Sequence, residues 1–208
     1  SKPAPGTPPE PRPRRVYTPP APREKTEAEI AIEALQAGVT AGVQVVSAPQ
    51  LFPTPIEVAR RMVDIADIQA GECVLEPSAG TGNLVQAVVD SGVDTEILAY
   101  EINHALVSKL VSRWPSYRVQ VRQADFLEVT DHQGCYPKIL INPPFEKGSD
   151  IKHIEHARTF LAPGGVLVGI CAGGPRQREK YNDYIVQELP AGTFEGTGVT
   201  SLIIRIEA

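Results

Sequence analysis

The segment Cys73-Val-Leu-Glu-Pro-Ser-Ala-Gly-Thr-Gly-Asn-Leu84 decides how the rest of the chain is interpreted. Two apolar residues lead to an acid, Glu76, and a turn of small residues follows. Apolar residues then return at mainly helical spacing from Leu84 onwards. This order predicts a β-strand, a glycine-rich turn and an α-helix, the opening unit of a nucleotide-binding α/β fold. We expect Gly80 and Gly82 to let a ligand approach the backbone, because they carry no side chain.

The turn does not match the common phosphate-binding patterns. A dinucleotide turn would have a third glycine where Val85 stands, and a P-loop would have a lysine after Gly82. The carboxylate of Glu76 would also repel a nearby phosphate. It favours a ligand with a positive group, such as the ammonium or sulfonium of S-adenosylmethionine. A glycine-rich turn without a ligand is the alternative that this segment leaves open.

A second motif, Asn142-Pro-Pro-Phe145, follows the apolar segment Lys138-Ile-Leu-Ile141, about sixty residues after the glycine turn. Together the two segments resemble the S-adenosylmethionine-dependent amino-methyltransferases, and most closely the DNA adenine-N6 methyltransferases of the gamma motif order. The resemblance covers roughly residues 50–208. It implies an α/β fold of the Rossmann-like class I methyltransferase type, with a seven-stranded, mostly parallel sheet and an antiparallel last strand.

The resemblance implies that Asn142, Pro143, Pro144 and Phe145 are catalytic. The exocyclic amine of adenine is a weak nucleophile, because its lone pair is delocalised into the ring. The side-chain carbonyl of Asn142 and the backbone carbonyl of Pro143 would accept its two hydrogens, and Phe145 would stack on the target ring. A base within a duplex would have to be flipped out. We expect no metal and no covalent nucleophile, since alignment and polarisation suffice.

The resemblance also implies a cofactor site at the ends of successive strands. Thr54, the expected N-cap of a helix, would contact the carboxylate of the cofactor at the helix N-terminus. Glu101 would accept hydrogen bonds from the ribose hydroxyls, whereas Asp125 and Phe126 would bind the edge and face of the adenine. The other predicted cofactor-binding residues are Glu76, Pro77, Ser78, Ala79, Gly80, Gly82, Asn83 and Ile102.

Two further groups of polar residues allow alternative interpretations. Arg176, Arg178 and Lys180 follow a glycine hinge, where they would either meet nucleic-acid phosphates or form a solvated helix face. His153 and His156 lie three residues apart on a predicted helix. Because no further ligands follow at recognisable spacing, we interpret these histidines as part of a helix face and not as a metal site.

The patterns along the chain predict alternating strands and helices. We expect residues 146–150 to form a polar, flexible loop that closes over the target, and Pro163-Gly-Gly to end a helix. The other predicted elements are a helix with Pro55 at its first position, strands over 96–101, 117–121, 138–141 and 166–171, a helix over 151–161, and a closing hairpin over 193–198 and 199–206.

The composition separates a tail from one domain. Residues 1–25 hold nine of the twenty prolines and six basic against two acidic residues, whereas the whole chain of 208 residues has a net charge of −5. We predict a disordered or polyproline-type tail over 1–25, serving as a basic arm or a solvated linker. Residues 26–208 would form the methyltransferase domain, beginning with a short capped helix over 26–38.

The cysteine pattern and the hydropathy of the chain predict its cellular compartment. Cys73, Cys135 and Cys171 are odd in number and form no CxxC pair, which argues against a disulfide framework and favours a reducing cytoplasm. No apolar run approaches the length of a membrane span, and no signal peptide is visible. We therefore expect a cytoplasmic protein that does not enter the membrane.

The second motif does not fix the acceptor. It also serves enzymes that methylate glutamine in proteins or adenine and guanine in RNA, so these stay alternatives to DNA. Phe145 in place of tyrosine and the Thr-Pro helix start favour DNA adenine N6. Nothing of domain size follows the last predicted strand, so we expect short loops, the basic tail or a partner subunit to supply target recognition, or else little sequence specificity. A catalytically silent cofactor-binding subunit is the alternative of another class.

Overall fold

The computed structural model describes residues 52–115, 117–195 and 197–208, in which strands and helices alternate along the chain. The tail predicted over 1–25 and the helix predicted over 26–38 lie outside the described residues, and the domain bounds of 26–208 stay a prediction. The α-helices are α1 (Ile56–Ala66), α2 (Asn83–Asp90), α3 (His104–Arg113), α4 (Ser149–Arg158) and α5 (Pro175–Tyr181). The strands are β1 (Cys73–Glu76), β2 (Glu96–Glu101), β3 (Val119–Gln123), β4 (Tyr136–Ile141), β5 (Leu161–Ala172), β6 (Ile185–Leu189) and β7 (Ser201–Glu207).

The seven strands in the described residues form one sheet in the order β3-β2-β1-β4-β5-β7-β6. Neighbours from β3 to β5 pair in parallel, and β7 runs antiparallel to both β5 and β6. This confirms the predicted seven-stranded, mostly parallel sheet with an antiparallel last strand. The strand order reverses between β1 and β4. Their carboxyl ends therefore lie side by side, at the position where such sheets bind ligands.

Both faces of the sheet are covered by helices, which explains why its strands are apolar on both sides. Val74 of β1 packs in one cluster with Ala59 and Met62 of α1. The next residue, Leu75, points to the other face and packs in a second cluster with Ile154 of α4. All five side chains are at most 1% exposed. Full burial of a side chain such as Leu75 contributes about 1.5–3 kcal/mol.

The Pro163-Gly-Gly segment does not end a helix, as predicted, but lies inside β5. Helix α4 already ends at Arg158, and β5 begins at Leu161. The pairing of β4 with β5 shifts register after Tyr136. A Cβ at Gly165 would lie 3.0 Å from the backbone oxygen of Tyr136. The glycine therefore permits a close approach of the two strands at this irregularity.

Other predicted strand boundaries also need correction. Strand β3 begins at Val119. Tyr117, where the predicted strand began, lies in a turn and is 75% exposed. Strand β4 begins at Tyr136, two residues before the predicted start. The first strand of the closing hairpin is β6, in which half-buried and exposed side chains alternate from Ile185 to Glu188, and not residues 193–198. The predicted hairpin missed this strand, and the second strand starts at Ser201.

Gly82 packs against α3, which gives a different reason for the glycine from the predicted ligand approach. Its φ of +83° lies in the left-handed region that disfavours a side chain. A Cβ there would lie 2.6 Å from Cδ2 of Leu110 and 2.8 Å from Cη2 of Trp114. The turn therefore needs a glycine at 82 so that α3 can lie directly behind it.

We expect Gly82→Ala to lower the free energy of unfolding by about 2 to 4 kcal/mol, since backbone strain and overpacking add. Gly92→Ala is the matched control. Its φ is +72°, but among the described residues nothing lies within 4 Å of the added Cβ. The control should lose only about 1 kcal/mol from the left-handed backbone. Urea unfolding of both variants measures the difference, and equal losses would contradict the packing role.

Candidate active site

The glycine turn and the second motif are in direct contact. The Ser78 hydroxyl donates a hydrogen bond of 3.2 Å to the backbone oxygen of Asn142. The contact follows from the sheet, because the turn leaves β1, the motif leaves β4, and these strands pair in parallel. The two predicted halves of the site therefore share one edge of the sheet.

The side-chain amide of Asn142 is held from the segment that precedes α1. Its Nδ2 donates to the backbone oxygen of Phe52 at 3.1 Å and to the hydroxyl oxygen of Thr54 at 2.9 Å. Thr54 was predicted to cap the helix, but the N-cap residue is Pro55 and α1 begins at Ile56. The Thr54 side chain therefore does not cap α1 and instead contacts Asn142, which lies 88 positions later in the chain.

Asn83, the first residue of α2, connects the same segment to the glycine turn. Its Nδ2 donates to the backbone oxygen of Thr54 at 2.8 Å. Ser78 and Asn83 thus make contacts from the two ends of one turn, the first to Asn142 and the second to Thr54. Three chain segments are joined in a closed hydrogen-bond network, which restrains the geometry of the site.

Glu101 supports the glycine turn from the end of β2. Its carboxylate accepts from the backbone N–H of Gly80 at 2.8 Å and from that of Asn103 at 2.8 Å. The residue is 8% exposed, and burial raises its pKa against the opposing effect of these donors. The predicted contact with ribose hydroxyls stays a prediction. It is compatible with this arrangement, since carboxylate oxygens accept more than one hydrogen bond each.

Glu76 is a buried carboxyl group directly below the turn. It is 2% exposed, and among the described residues its Oε2 has no hydrogen-bond partner. Burial, and then the nearby charge of Glu101, raise the pKa of Glu76 well above its ordinary value. Burying a carboxylate oxygen without a hydrogen-bond donor costs free energy of folding. A bound cationic group at the turn would supply that donor.

Phe126 does not occupy the predicted place on the face of an adenine. Its ring is 3% exposed and packs against Tyr100 at 5.7 Å, His156 at 4.9 Å and Phe160 at 5.0 Å between centroids. We therefore assign Phe126 to the core. The neighbouring Asp125 is only partly buried and accepts from the backbone N–H of Leu127 at 3.0 Å.

Ile102 offers an apolar side chain at the same edge of the sheet. It follows β2 directly and is 42% exposed. The structure therefore leaves its surface accessible beside Glu101, whereas Pro77 and Ala79 of the turn are buried. The cofactor contact predicted for Ile102 stays a prediction.

Phe145 of the second motif lies in an aromatic cluster that the sequence did not reveal. Its half-buried ring packs against Phe52 at 6.5 Å and edge-on against Phe194 at 6.1 Å between centroids. Phe194 comes from the loop between β6 and β7 and is 1% exposed. Its only signal in the sequence was an isolated aromatic residue in a polar turn. Pro143 is buried and Pro144 is half-buried beside this cluster.

The polar segment over 146–150 is not the flexible loop that we predicted. It forms a short 3₁₀ helix, Glu146–Gly148, followed by the first turn of α4. Asp150 is fully buried and accepts from the backbone N–H of Ala172 at 3.0 Å and from Nε2 of Gln177 at 3.0 Å. These bonds fix the start of α4 to the end of β5 and to α5, so the segment after the motif is held in place.

The basic residues of α5 differ in their contacts. Arg178 pairs with Glu188 and donates from Nε to the Gly173 backbone oxygen, whereas Lys180 pairs with Glu155 at 3.5 Å. These two cations act within the protein. The exposed Arg176 instead directs its guanidinium towards the segment after the second motif, where its Nη1 lies 3.2 Å from the place of a Cβ on Gly148.

The two histidines of α4 make local hydrogen bonds. Nδ1 of His153 lies 2.9 Å from the backbone oxygen of Ser149, and Nε2 of His156 lies 2.9 Å from that of Val129. Within the described ranges no three His, Cys, Asp or Glu side chains are grouped so that they could hold a metal ion. In the same ranges no helix has the length and apolar character required to cross a membrane.

Comparison with known proteins identifies the family. The family model for the methyltransferase small domain matches residues 58–184. The chain belongs to the methyltransferase small domain family. The match contains both the glycine turn and the second motif, so both segments belong to the methyltransferase domain.

Two curated proteins are similar to part of this methyltransferase domain. Ribosomal RNA small subunit methyltransferase A of Thermotoga neapolitana is 34% identical over 83 residues, which are 39% of this chain and 31% of that protein. The protein of the same name from Thermotoga maritima is 32% identical over 80 residues, 38% of this chain and 28% of that protein. The match thus spans about a third of the length of these relatives.

Solved structures share the fold of this methyltransferase domain. The 23S rRNA methyltransferase ErmE superposes with a TM-score of 0.61 at 17% identity, over 75% of this chain and 69% of that one. A dimethyladenosine transferase from Plasmodium falciparum gives a TM-score of 0.59 at 17% identity, over 76% and 64%. At these identities the likeness concerns the fold alone, and it confirms the predicted Rossmann-like methyltransferase architecture.

S-Adenosylmethionine is the cofactor that this family membership implies. A structurally similar RNA methyltransferase from Salinibacter ruber, with a TM-score of 0.53 at 19% identity over 74% of this chain and 92% of that one, is in complex with S-adenosyl-L-homocysteine. The residues at the turn of this chain fit such a group. The orphaned oxygen of Glu76 can accept from an ammonium, and the turn of small residues leaves its backbone close to the edge of the sheet.

We expect the free energy of unfolding to fall as the pH rises above the ordinary glutamate pKa of 4.5, because the raised pKa of Glu76 means that the folded state retains the proton longer than the unfolded chain. Glu76→Gln, which cannot ionise, should weaken this pH dependence. Glu101, whose pKa is also raised by burial, should maintain part of it. Urea unfolding of both proteins at pH 5 and pH 8 measures the effect. The same pH dependence in both proteins would contradict it.

Proposed function

We propose that this chain is an S-adenosylmethionine-dependent N-methyltransferase that acts on the amino nitrogen of an adenine in RNA. The observation that carries the proposal is the contact between the Ser78 hydroxyl and the backbone oxygen of Asn142, 3.2 Å long. It joins the glycine turn to the backbone of the residue whose side-chain oxygen would accept from a planar amine. A donor and an acceptor bound at these two segments would lie next to each other.

The chemistry proposed for the second motif is alignment and polarisation of the acceptor. The side-chain oxygen of Asn142 and the backbone oxygen of Pro143 each accept one hydrogen of the target amine. The nitrogen then approaches tetrahedral geometry, and its lone pair points at the methyl group. Proline suits this position, because its ring fixes φ and it offers no competing N–H. Phe145 stacks on the target base, supported from behind by Phe194.

When bound, S-adenosylmethionine supplies an electrophilic methyl group on a cationic sulfur. Transfer of this methyl group would form a nitrogen–carbon bond at the expense of the sulfur–carbon bond, and the amine would release a proton. The chain contributes cofactor contacts around this donor. Glu76 receives its ammonium, Glu101 its ribose hydroxyls, Asp125 its adenine amino group, and Thr54 its carboxylate. The backbone of residues 77–80 and the side chains of Asn83 and Ile102 complete the proposed cofactor site.

The names of the curated relatives, both ribosomal RNA methyltransferases, favour RNA as the acceptor. DNA adenine N6 is the second candidate, favoured by Phe145 and by the likeness of both motifs to the gamma-class enzymes. Arg176, whose guanidinium lies beside Gly148, is suited to a phosphate of either nucleic acid. The proposal also includes a partner subunit that recognises the target and a location in the cytoplasm.

The proposal is tested by transfer of radioactive methyl from S-adenosylmethionine to separate RNA, DNA and protein pools. We expect label in RNA and its loss in Asn142→Ala, because no side-chain oxygen would then accept the amine hydrogen. Cofactor binding should persist in that variant. The matched control is Asn182→Ala, because Asn182 is exposed in another segment.

Label in DNA would favour the second candidate, and label in protein would favour glutamine as the acceptor. Cofactor binding without transfer to any pool would favour a silent subunit, and full activity of Asn142→Ala would refute the assigned role.

We expect Asp125→Ala to raise the dissociation constant of S-adenosylmethionine by about 10- to 100-fold, since a hydrogen bond to a charged group contributes about 1.5–3 kcal/mol. Isothermal titration calorimetry measures the constant. Asp131→Ala is the control, because Asp131 is exposed in a nearby turn. A thermal melt of each variant separates lost affinity from lost stability. An unchanged constant in Asp125→Ala would remove this residue from the cofactor site.

A further inference from the structure

We propose that Thr54 is a positioning residue that fixes which end of the Asn142 amide faces the acceptor. This inference rests on the proposed function, in which the side-chain oxygen of Asn142 accepts a hydrogen of the target amine. It assigns Thr54 a role in the methyl-transfer step, in addition to the cofactor contact proposed above.

The orientation of the amide follows from its partners. The Phe52 backbone oxygen, 3.1 Å from Nδ2 of Asn142, has lone pairs but no hydrogen and can only accept. The NH₂ end of the amide must therefore face the segment over 52–54. The oxygen end points away from that segment, where it is left to accept from a ligand.

This orientation matters because the two ends of an amide have opposite hydrogen-bonding character. The last side-chain torsion of an asparagine is broad and roughly two-fold, so the free side chain does not strongly prefer one orientation. A rotation of about 180° would point the NH₂ group of Asn142 at the NH₂ group of the acceptor. Two donors would then face each other, and the nitrogen would lose the polarisation that the reaction requires.

Thr54 is well placed to prevent that rotation. Its hydroxyl oxygen accepts from the same Nδ2 at 2.9 Å, and the residue is only 6% exposed. In this nearly dry position a hydrogen bond is stronger than in water. The Thr54 backbone oxygen is itself held by Asn83 at 2.8 Å. The hydroxyl therefore has a fixed place relative to the glycine turn.

The same hydroxyl can serve the cofactor without releasing Asn142. A threonine hydroxyl has one hydrogen to donate besides its lone pairs. The bond from Nδ2 uses a lone pair, so the hydrogen stays available for a carboxylate. Loss of the hydroxyl would thus affect cofactor affinity through one bond and the transfer step through the other. The turnover number at saturating cofactor isolates the second effect.

The test compares Thr54→Val, which keeps the shape but removes the acceptor, with Thr54→Ser, which keeps the hydroxyl. We expect Thr54→Val to lower kcat at saturating cofactor by about 10- to 100-fold, as for a misaligned catalytic group. Thr54→Ser should restore kcat to near the unmodified value. Thr95→Val is the matched control, since Thr95 is 7% exposed and its hydroxyl donates to the Glu72 backbone oxygen at the amino end of the sheet. If valine prevents folding, Thr54→Ala removes the same acceptor and should lower kcat equally.

A spectroscopic readout keeps this test separate from the proposed function. The side-chain amide signals of Asn142, assigned by their absence in Asn142→Ala, report its hydrogen bonds in ¹⁵N-labelled protein. We expect these signals to shift in Thr54→Val and to stay in place in Thr95→Val. Unchanged kcat in Thr54→Val, with or without weaker cofactor binding, would overturn the positioning role. If the unmodified protein methylates nothing, the proposed function fails, and unshifted amide signals in Thr54→Val would overturn the orienting contact as well.

Discussion

The parallel pairing of β1 with β4 is the constraint on which the rest of the site depends. Two chain segments that are about sixty residues apart leave these strands at the same edge and meet there. The topology alone brings them close, but it does not set the direction of any side chain. Hydrogen bonds set those directions, above all the two that the Asn142 side chain donates to the Phe52 backbone oxygen and the Thr54 hydroxyl. The fold supplies proximity, and the local network supplies orientation.

The two carboxyl groups at this edge, those of Glu76 and Glu101, have different surroundings. Glu101 accepts from backbone N–H groups and so holds the turn in its shape. Glu76 instead keeps an oxygen without a partner among the described residues, although it is nearly fully buried. Burial of such a group costs free energy that the rest of the core must offset.

The sequence predicted the features that depend on local pattern. The glycine turn and the bounds of β2 were correct, because strand periodicity and turn residues encode them. The errors concern residues whose place is set by distant partners. Asp150 stands in a polar segment that is typical of a loop. It is nevertheless buried and accepts hydrogen bonds from Ala172 and Gln177, which lie 22 and 27 positions later in the chain. Phe126 stands in the expected register, but its ring turns into a core formed by α4 and the sheet. Threonine is a favoured N-cap residue, but the Thr54 side chain contacts Asn142 and does not cap the helix.

The close packing of Gly82 against Trp114 has a practical consequence. Trp114 is the only tryptophan in the chain, so the ultraviolet emission of the protein arises largely from one indole directly behind the turn. Small displacements of the turn alter the packing around that indole and hence its fluorescence. The chain therefore carries an intrinsic optical reporter at the back of its glycine turn, which requires no dye and no engineered label.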